Sequence, residues 1–177
     1  MFKSLLLALA LALPVFSSDS CSVTQAVAVL GGGTGAVSGI VVFAQNECGA
    51  VTVTGFIQGL DSSALRGLHV HDSGNLTDGC TSTGEHYNPF NTTHGGLDDP
   101  EDKKHVGDFG NVKSDANGVA KLDLTVNTLT LNGPQSIVGR AIVVHTGTDD
   151  LGKGGTPLSL VNGNSGARAA CGVIGLA

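Results

Sequence analysis

Glycine sets the first limit on how this chain can fold. There are 27 in 177 residues, and glycine disfavours helix interiors while serving turns, bulges and close backbone approaches. Between the glycines lie short apolar runs rather than helical stripes. Ser22 to Leu30, Val37 to Ala44 and Val51 to Ile57 are rich in Val and Ile, separated by Gly31-Gly32-Gly33-Thr34-Gly35 and by Gln45-Asn46-Glu47-Cys48-Gly49. In Val119 to Val126 the apolar Ala120, Leu122, Leu124 and Val126 alternate with Lys121, Asp123 and Thr125. That period of two marks a half-buried strand. Arg66 to His71, Leu129 to Leu131, Ile137 to His145 and Cys171 to Leu176 bring the total to about eight strands, with Asp115-Ala116-Asn117-Gly118 as a hairpin turn. The expectation is one all-β domain, an eight-stranded antiparallel Greek-key β-sandwich or flattened barrel.

Two long segments break this pattern, from His71 to about Val112 and from Thr146 to Ala170. Long irregular loops in a compact domain tend to be functional. The stretch from Gly67 to Val112 holds five of the six histidines, and histidine is the commonest metal ligand. His69 and His71 stand two apart on a predicted strand, so both imidazoles face one side. His86, His94 and His105 follow, with Asp108 three residues beyond as an oxygen ligand suited to tetrahedral zinc. The sixth, His145, ends Ile142-Val143-Val144-His145, a strand placed to lie against Arg66 to His71. Six histidines and one aspartate fall short of two separate four-ligand sites unless one ligand is shared. An imidazolate has two ring nitrogens and can bridge two metals.

Residues 1–20 read as a secretory signal: Lys3 gives the positive end, Leu5 to Val15 the apolar core, and cleavage is expected near residues 17–20. No later run approaches the roughly 20 apolar residues of a membrane helix, so a secreted domain spanning 21–177 is expected. A net charge of -6 argues against nucleic acid, whose phosphates need a basic footprint. In an exported chain the four cysteines, Cys21, Cys48, Cys80 and Cys171, read as disulfides with three pairings open. Asn75-Leu76-Thr77 and Asn91-Thr92-Thr93 are candidate N-glycosylation sites.

The segments GLHVHDSG, GCTSTGEHYNP, HGG, HVGDFGNV, VVHTGTDDLGKGG and NSGARAACGVIGLA closely resemble copper–zinc superoxide dismutase. The resemblance runs from Thr24 to Ala177. It implies copper ligands at His69, His71, His86 and His145, and zinc ligands at His86, His94, His105 and Asp108, with His86 as the bridge. Four imidazoles suit Cu(II), and three imidazoles with a carboxylate suit zinc. The implied activity is dismutation of superoxide to dioxygen and hydrogen peroxide by a redox-cycling copper beside a structural zinc, outside the cell.

By the same resemblance, Asp149 joins a copper ligand to a zinc ligand through hydrogen bonds, and Arg168 receives the anionic substrate. Cys80 and Cys171 match the family disulfide. That leaves Cys21 before the first strand and Cys48 after the second, ends that antiparallel neighbours bring together, so Cys21–Cys48 is expected as a second bridge.

Departures from the family pattern are local. Where relatives often carry steering charges the loop reads Pro157, Leu158 and Val161, leaving Lys153 and Arg168 as its basic residues; the resemblance then implies a weaker guiding field. Asp98 to Asp102 lengthen the spacing between His94 and His105. Ser73 and Asn75 fall where many relatives make their dimer contact, while Gly139 and Gly172 to Gly175 are typical of dimers, so a homodimer is expected. The competing expectation is a secreted copper- and zinc-binding or copper-delivery domain with little turnover.

Overall fold

The computed structural model describes residues 22–33, 35–47 and 49–177. The segment read as a secretory signal, Cys21 and Cys48 lie outside the described residues.

Eight main strands form: β1 (Gln25–Leu30), β2 (Ser38–Gln45), β3 (Val51–Gln58), β4 (Leu65–His71), β6 (Asp108–Lys113), β7 (Ala120–Val126), β8 (Ala141–His145) and β9 (Arg168–Val173). Two short ones, β5 (Thr77–Cys80) and β10 (Gly175–Leu176), complete the set. They make two antiparallel sheets, in the orders β10-β1-β2-β3-β7 and β6-β4-β8-β9. The sheets join along one side. Gly31 N donates to Cys171 O at 2.9 Å and Cys171 N to Gly31 O at 3.1 Å, and the chain passes from the second sheet to the first between β9 and β10. This is the flattened barrel expected from the sequence.

Alternation explains where the core sits. In β4 Leu68 and Val70 point inward and in β8 so do Ile142 and Val144, meeting Phe43, Val41, Val53 and Ile57 from the other sheet. The intervening residues point outward: His69 lies opposite Val143 and His71 opposite Ala141, and Val143 in turn opposite Cys171. Yet every residue of β8 is buried. The outer face of this sheet lies beneath the two long loops, so the period-two signature fades where both faces are covered.

Three sequence expectations need correction. Leu129 to Leu131 is not a strand; Leu129 and Leu131 are buried in the core from an irregular connection whose Leu131 N–H donates to Gln45 Oε1 at 2.8 Å. Asp108–Lys113 is a strand that the loop reading concealed, because its polar and glycine content masked the pattern. The Asp115–Gly118 turn forms, with Asp115 Oδ1 accepting from Asn117 N and Val119 N at 2.8 and 3.0 Å. It links β6 to β7 in opposite sheets, however, and so is a crossing rather than a hairpin.

Cys80 and Cys171 are disulfide-bonded with Cα atoms 5.6 Å apart and a sequence separation of 91. The pairing pins the histidine-rich loop to β9. Closing a loop of that length contributes about 4–5 kcal/mol in the chain-entropy description. Cys80→Ser with Cys171→Ser is therefore expected to lower unfolding free energy by roughly that amount in a denaturant titration. An unchanged midpoint would show that the reduced chain already holds the loop in place.

Candidate metal centre

Four elements bring the histidines together. β4 supplies His69 and His71, β8 ends on His145, and an isolated bridge between His71 and His86 lays the loop across the sheet. The turn before β6 supplies His105, and Asp108 begins that strand, opposite His69. All six histidines, Asp108 and Asp149 are buried. So many polar groups are retained in a dry site only when each finds a partner.

The outward nitrogens are committed. His69 Nε2 donates to Asp149 Oδ2 and His94 Nε2 to Asp149 Oδ1, both at 2.8 Å. His71 Nδ1 donates to Gly84 O at 2.9 Å and His145 Nδ1 to Gly166 O at 3.1 Å. These contacts fix tautomer and ring direction, as the partners of metal-ligating histidines do. The remaining nitrogens turn inward. His71 Nε2 and His145 Nε2 come within 3.3 Å, and His69 Nδ1 and His86 Nε2 are buried without a partner. His86 Nδ1 lies 2.9 Å from Asp108 Oδ1, His94 Nδ1 3.0 Å and His105 Nδ1 3.3 Å. Buried, unpaired imidazole nitrogens facing one another are what a metal cation satisfies.

Ligand atoms of His69, His71, His86 and His145 lie within 4.8 Å of one another, as do those of His69, His86, His94 and Asp108. The second grouping puts His69 where the sequence puts His105. His69 Nε2 is bound to Asp149 and its Nδ1 is unpartnered, while His105 Nδ1 lies 3.3 Å from Asp108 Oδ1 without a hydrogen-bond partner.

Burial depresses His71 and His86 below the ordinary histidine range, and lowers His69 to about 3 and His145 to about 4. Burial thus holds these four rings neutral. Burial also acts on His94, but the Asp108 and Asp149 carboxylates overcome it and raise that ring to about 9. Both carboxyls lie well below the usual range: burial opposes this, and hydrogen bonds from the surrounding imidazoles prevail.

Arg168, at the start of β9, lies beside the four-histidine group. Its Nη1 donates to Cys80 O, Thr81 O and Thr83 Oγ1 at 2.5, 2.7 and 3.1 Å, and its Nη2 to Gly84 O at 2.6 Å. Gly84 O therefore serves both the arginine and His71. The disulfide loop and the guanidinium form one unit, because Cys80 contributes both the sulfur and an acceptor.

The structure thus gathers His69, His71, His86, His94, His105, His145, Asp108, Asp149 and Arg168 into one neighbourhood, while the sequon asparagines at 75 and 91 lie exposed elsewhere. It also assigns parts to residues the sequence reading passed over. Asn111 clamps Asp149 from both sides of the peptide, Oδ1 accepting from Asp149 N and Nδ2 donating to Asp149 O, each at 2.8 Å. Lys104, only 6% exposed, fills the loop between His94 and His105 and donates to Leu97 O. Neither carries a sequence signal, since an Asn in a strand and a Lys in an acidic loop read as surface. The acceptor carbonyls of Gly84 and Gly166 are likewise invisible in side-chain patterns.

A family model described as copper/zinc superoxide dismutase (SODC) matches residues 37–174. Proteins named superoxide dismutase (Cu-Zn) from Yarrowia lipolytica and Candida glabrata are 58% and 54% identical over 153 residues, covering 86% of this chain and 97% of each relative. The protein of that name from Saccharomyces cerevisiae is 54% identical over the same span. This chain belongs to the copper–zinc superoxide dismutase family.

Replacing Lys104 by Ala leaves the Leu97 carbonyl without its buried donor. A loss of about 1–3 kcal/mol is expected in thermal or denaturant unfolding, with new proteolytic cleavage between residues 95 and 104. Unchanged stability and protection would show the side chain to be dispensable there.

Proposed function

We propose that the chain dismutates superoxide to dioxygen and hydrogen peroxide, using one copper and one zinc. The observation that carries this reading is His86. Its Nδ1 lies 2.9 Å from Asp108 Oδ1, its Nε2 is buried without a partner, and its ring centroid lies 4.0, 5.0 and 5.9 Å from those of His69, His71 and His145. His69, His71, His86 and His145 are assigned to copper; His86, His94, His105 and Asp108 to zinc. The donor sets fit: nitrogen alone for copper, three nitrogens and an oxygen for a redox-silent tetrahedral ion.

Copper, when bound, supplies the one-electron change that lets one superoxide be oxidised and the next reduced. The protein supplies the rest. Arg168, held by four acceptors, presents fixed donors to the small anion rather than a mobile charge. His86 Nε2, when not shared with a cation, can hold a proton for the peroxide product while Nδ1 keeps the ring in place. Asp149 holds His69 and His94 in register, so the two sites keep their relative geometry. With Leu158 and Val161 exposed on the loop after Asp149, attraction of the anion rests on Arg168 and Lys153, and kcat/KM should fall only shallowly with salt.

The same reading takes the chain outside the cell. It is supported by the apolar run of residues 5–15, by the Cys80–Cys171 bridge and by exposed sequon asparagines at 75 and 91. A second bridge, Cys21–Cys48, accompanies export. A homodimer is proposed through Ser73, Gly139 and the run from Gly172 to Gly175, where Val173 is 39% exposed.

The decisive assay combines metal analysis with superoxide consumption. The unaltered chain is expected to hold one copper and one zinc and to be active; both metals without turnover would favour the delivery reading. His86→Ala should disturb both metals, His105→Ala chiefly zinc. Mass spectrometry of protein from the culture medium should find an N-terminus near residues 18–21, glycan on Asn75 or Asn91, and no free thiol before reduction. An intact Met1 with two free thiols would place the chain inside the cell.

A further inference from the structure

The carboxylate that joins the two histidine groups is packed against a residue with no side chain. Gly163 closes a single helical turn, α1 (Ser159–Asn162), with φ 63° and ψ 19°, its N–H donating to Ser159 O. Its carbonyl accepts from Asp150 N at 2.8 Å, next in sequence to Asp149. A Cβ at this position would fall 1.9 Å from Asp149 Oδ1, 2.7 Å from Asp149 Cγ and 2.5 Å from His94 Nε2. Those are the atoms of the Asp149–His94 hydrogen bond.

We propose that Gly163 is a positioning residue for both metal sites: its missing side chain leaves the space in which Asp149 bridges His69 to His94. This rests on the two-metal reading above and adds a residue to it. The carboxylate has no room to yield. Its side chain is fully buried, and Oδ2 accepts from His69 Nε2 at 2.8 Å. Oδ1 also accepts from Leu151 N at 2.7 Å, and Asn111 fixes the backbone on both sides. A methyl at 163 must therefore push Asp149 out of its bridge or lift α1 away from the site. Either frees His94 and His69 from the partner that orients them, and loss of such a partner weakens metal affinity on the order of 10–100-fold.

Two requirements on residue 163 must be separated, the left-handed backbone and the empty space. Gly155 provides the control. It has φ 71° in the same loop, and a Cβ there meets nothing within 4 Å, so Gly155→Ala carries backbone strain alone. Asn tolerates left-handed backbone better than other residues but has a Cβ, so Gly163→Asn keeps the cap and fills the space.

The test uses the full chain loaded with copper and zinc and reads zinc and copper affinity by chelator competition, with the electron paramagnetic resonance spectrum of the cupric protein. Gly163→Ala and Gly163→Asn are both expected to weaken zinc roughly 10–100-fold and to alter the copper spectrum; Gly155→Ala should leave both as in the unaltered protein. Wild-type affinity and spectrum in Gly163→Asn, or equal effects at 155 and 163, would overturn the inference. A second measurement covers poor folding. Gly163→Ala should cost less thermal stability in an Asp149→Ala background than alone, because the clash with the carboxylate is gone; an equal cost contradicts the inference. If the unaltered chain takes up neither metal, the two-metal reading itself fails and this one with it.

Discussion

The site depends on one buried carboxylate shared by two imidazoles. Asp149 is reached from β4 through His69 and from the first long loop through His94, while its own backbone belongs to the second long loop and is held by Asn111 of β6. Four separate stretches of chain thus meet at one residue. An unpaired carboxylate buried to this degree would be strongly disfavoured. Its two 2.8 Å hydrogen bonds are what make the arrangement tolerable, and they fix which nitrogen of each ring remains free. They leave Nδ1 of His69 and Nδ1 of His94 free for the proposed copper and zinc.

The barrel supplies rigidity and the loops supply chemistry. β4 and β8 use their inward residues to make the core and their outward residues to make the site, so a shift of one residue in register would exchange Leu68 for His69 and destroy both at once. The outward face is then covered by loops anchored at chosen points: the Cys80–Cys171 bridge, the Arg168 hydrogen bonds to the disulfide loop, and the Lys104 plug. Arg168 is the meeting place of two of these. Because it donates to the carbonyl of Cys80, the disulfide that stabilises the loop also sets the direction of the guanidinium.

Side-chain identity and spacing made much of this legible in the sequence. The strands whose one face meets solvent, such as Ala120–Val126, alternate cleanly and were readable. The histidines on β4 were readable because an H-x-H pair two residues apart shares a face, and the resemblance ordered the remaining ligands. Asp108–Lys113 was hidden, because Asp108 at its head serves the site and its glycine and asparagine break the apolar pattern. Leu129 and Leu131 misled in the opposite sense, being core residues in irregular backbone. Asn111, Lys104 and the carbonyls of Gly84 and Gly166 act through backbone placement, which residue type does not encode. Gly163 is the extreme case. What it contributes is empty space, visible only once its neighbours are in place.

The central claim is that one imidazole joins two different metals in a centre built from β4, β8 and the two loops. Diffraction from crystals of the metal-loaded protein, with anomalous data collected on both sides of the copper and zinc edges, tests it most directly. The account predicts two separate peaks, copper beside His69, His71 and His145 and zinc beside His94, His105 and Asp108, with His86 between them. A single metal position, or a His86 ring in contact with neither ion, would contradict it.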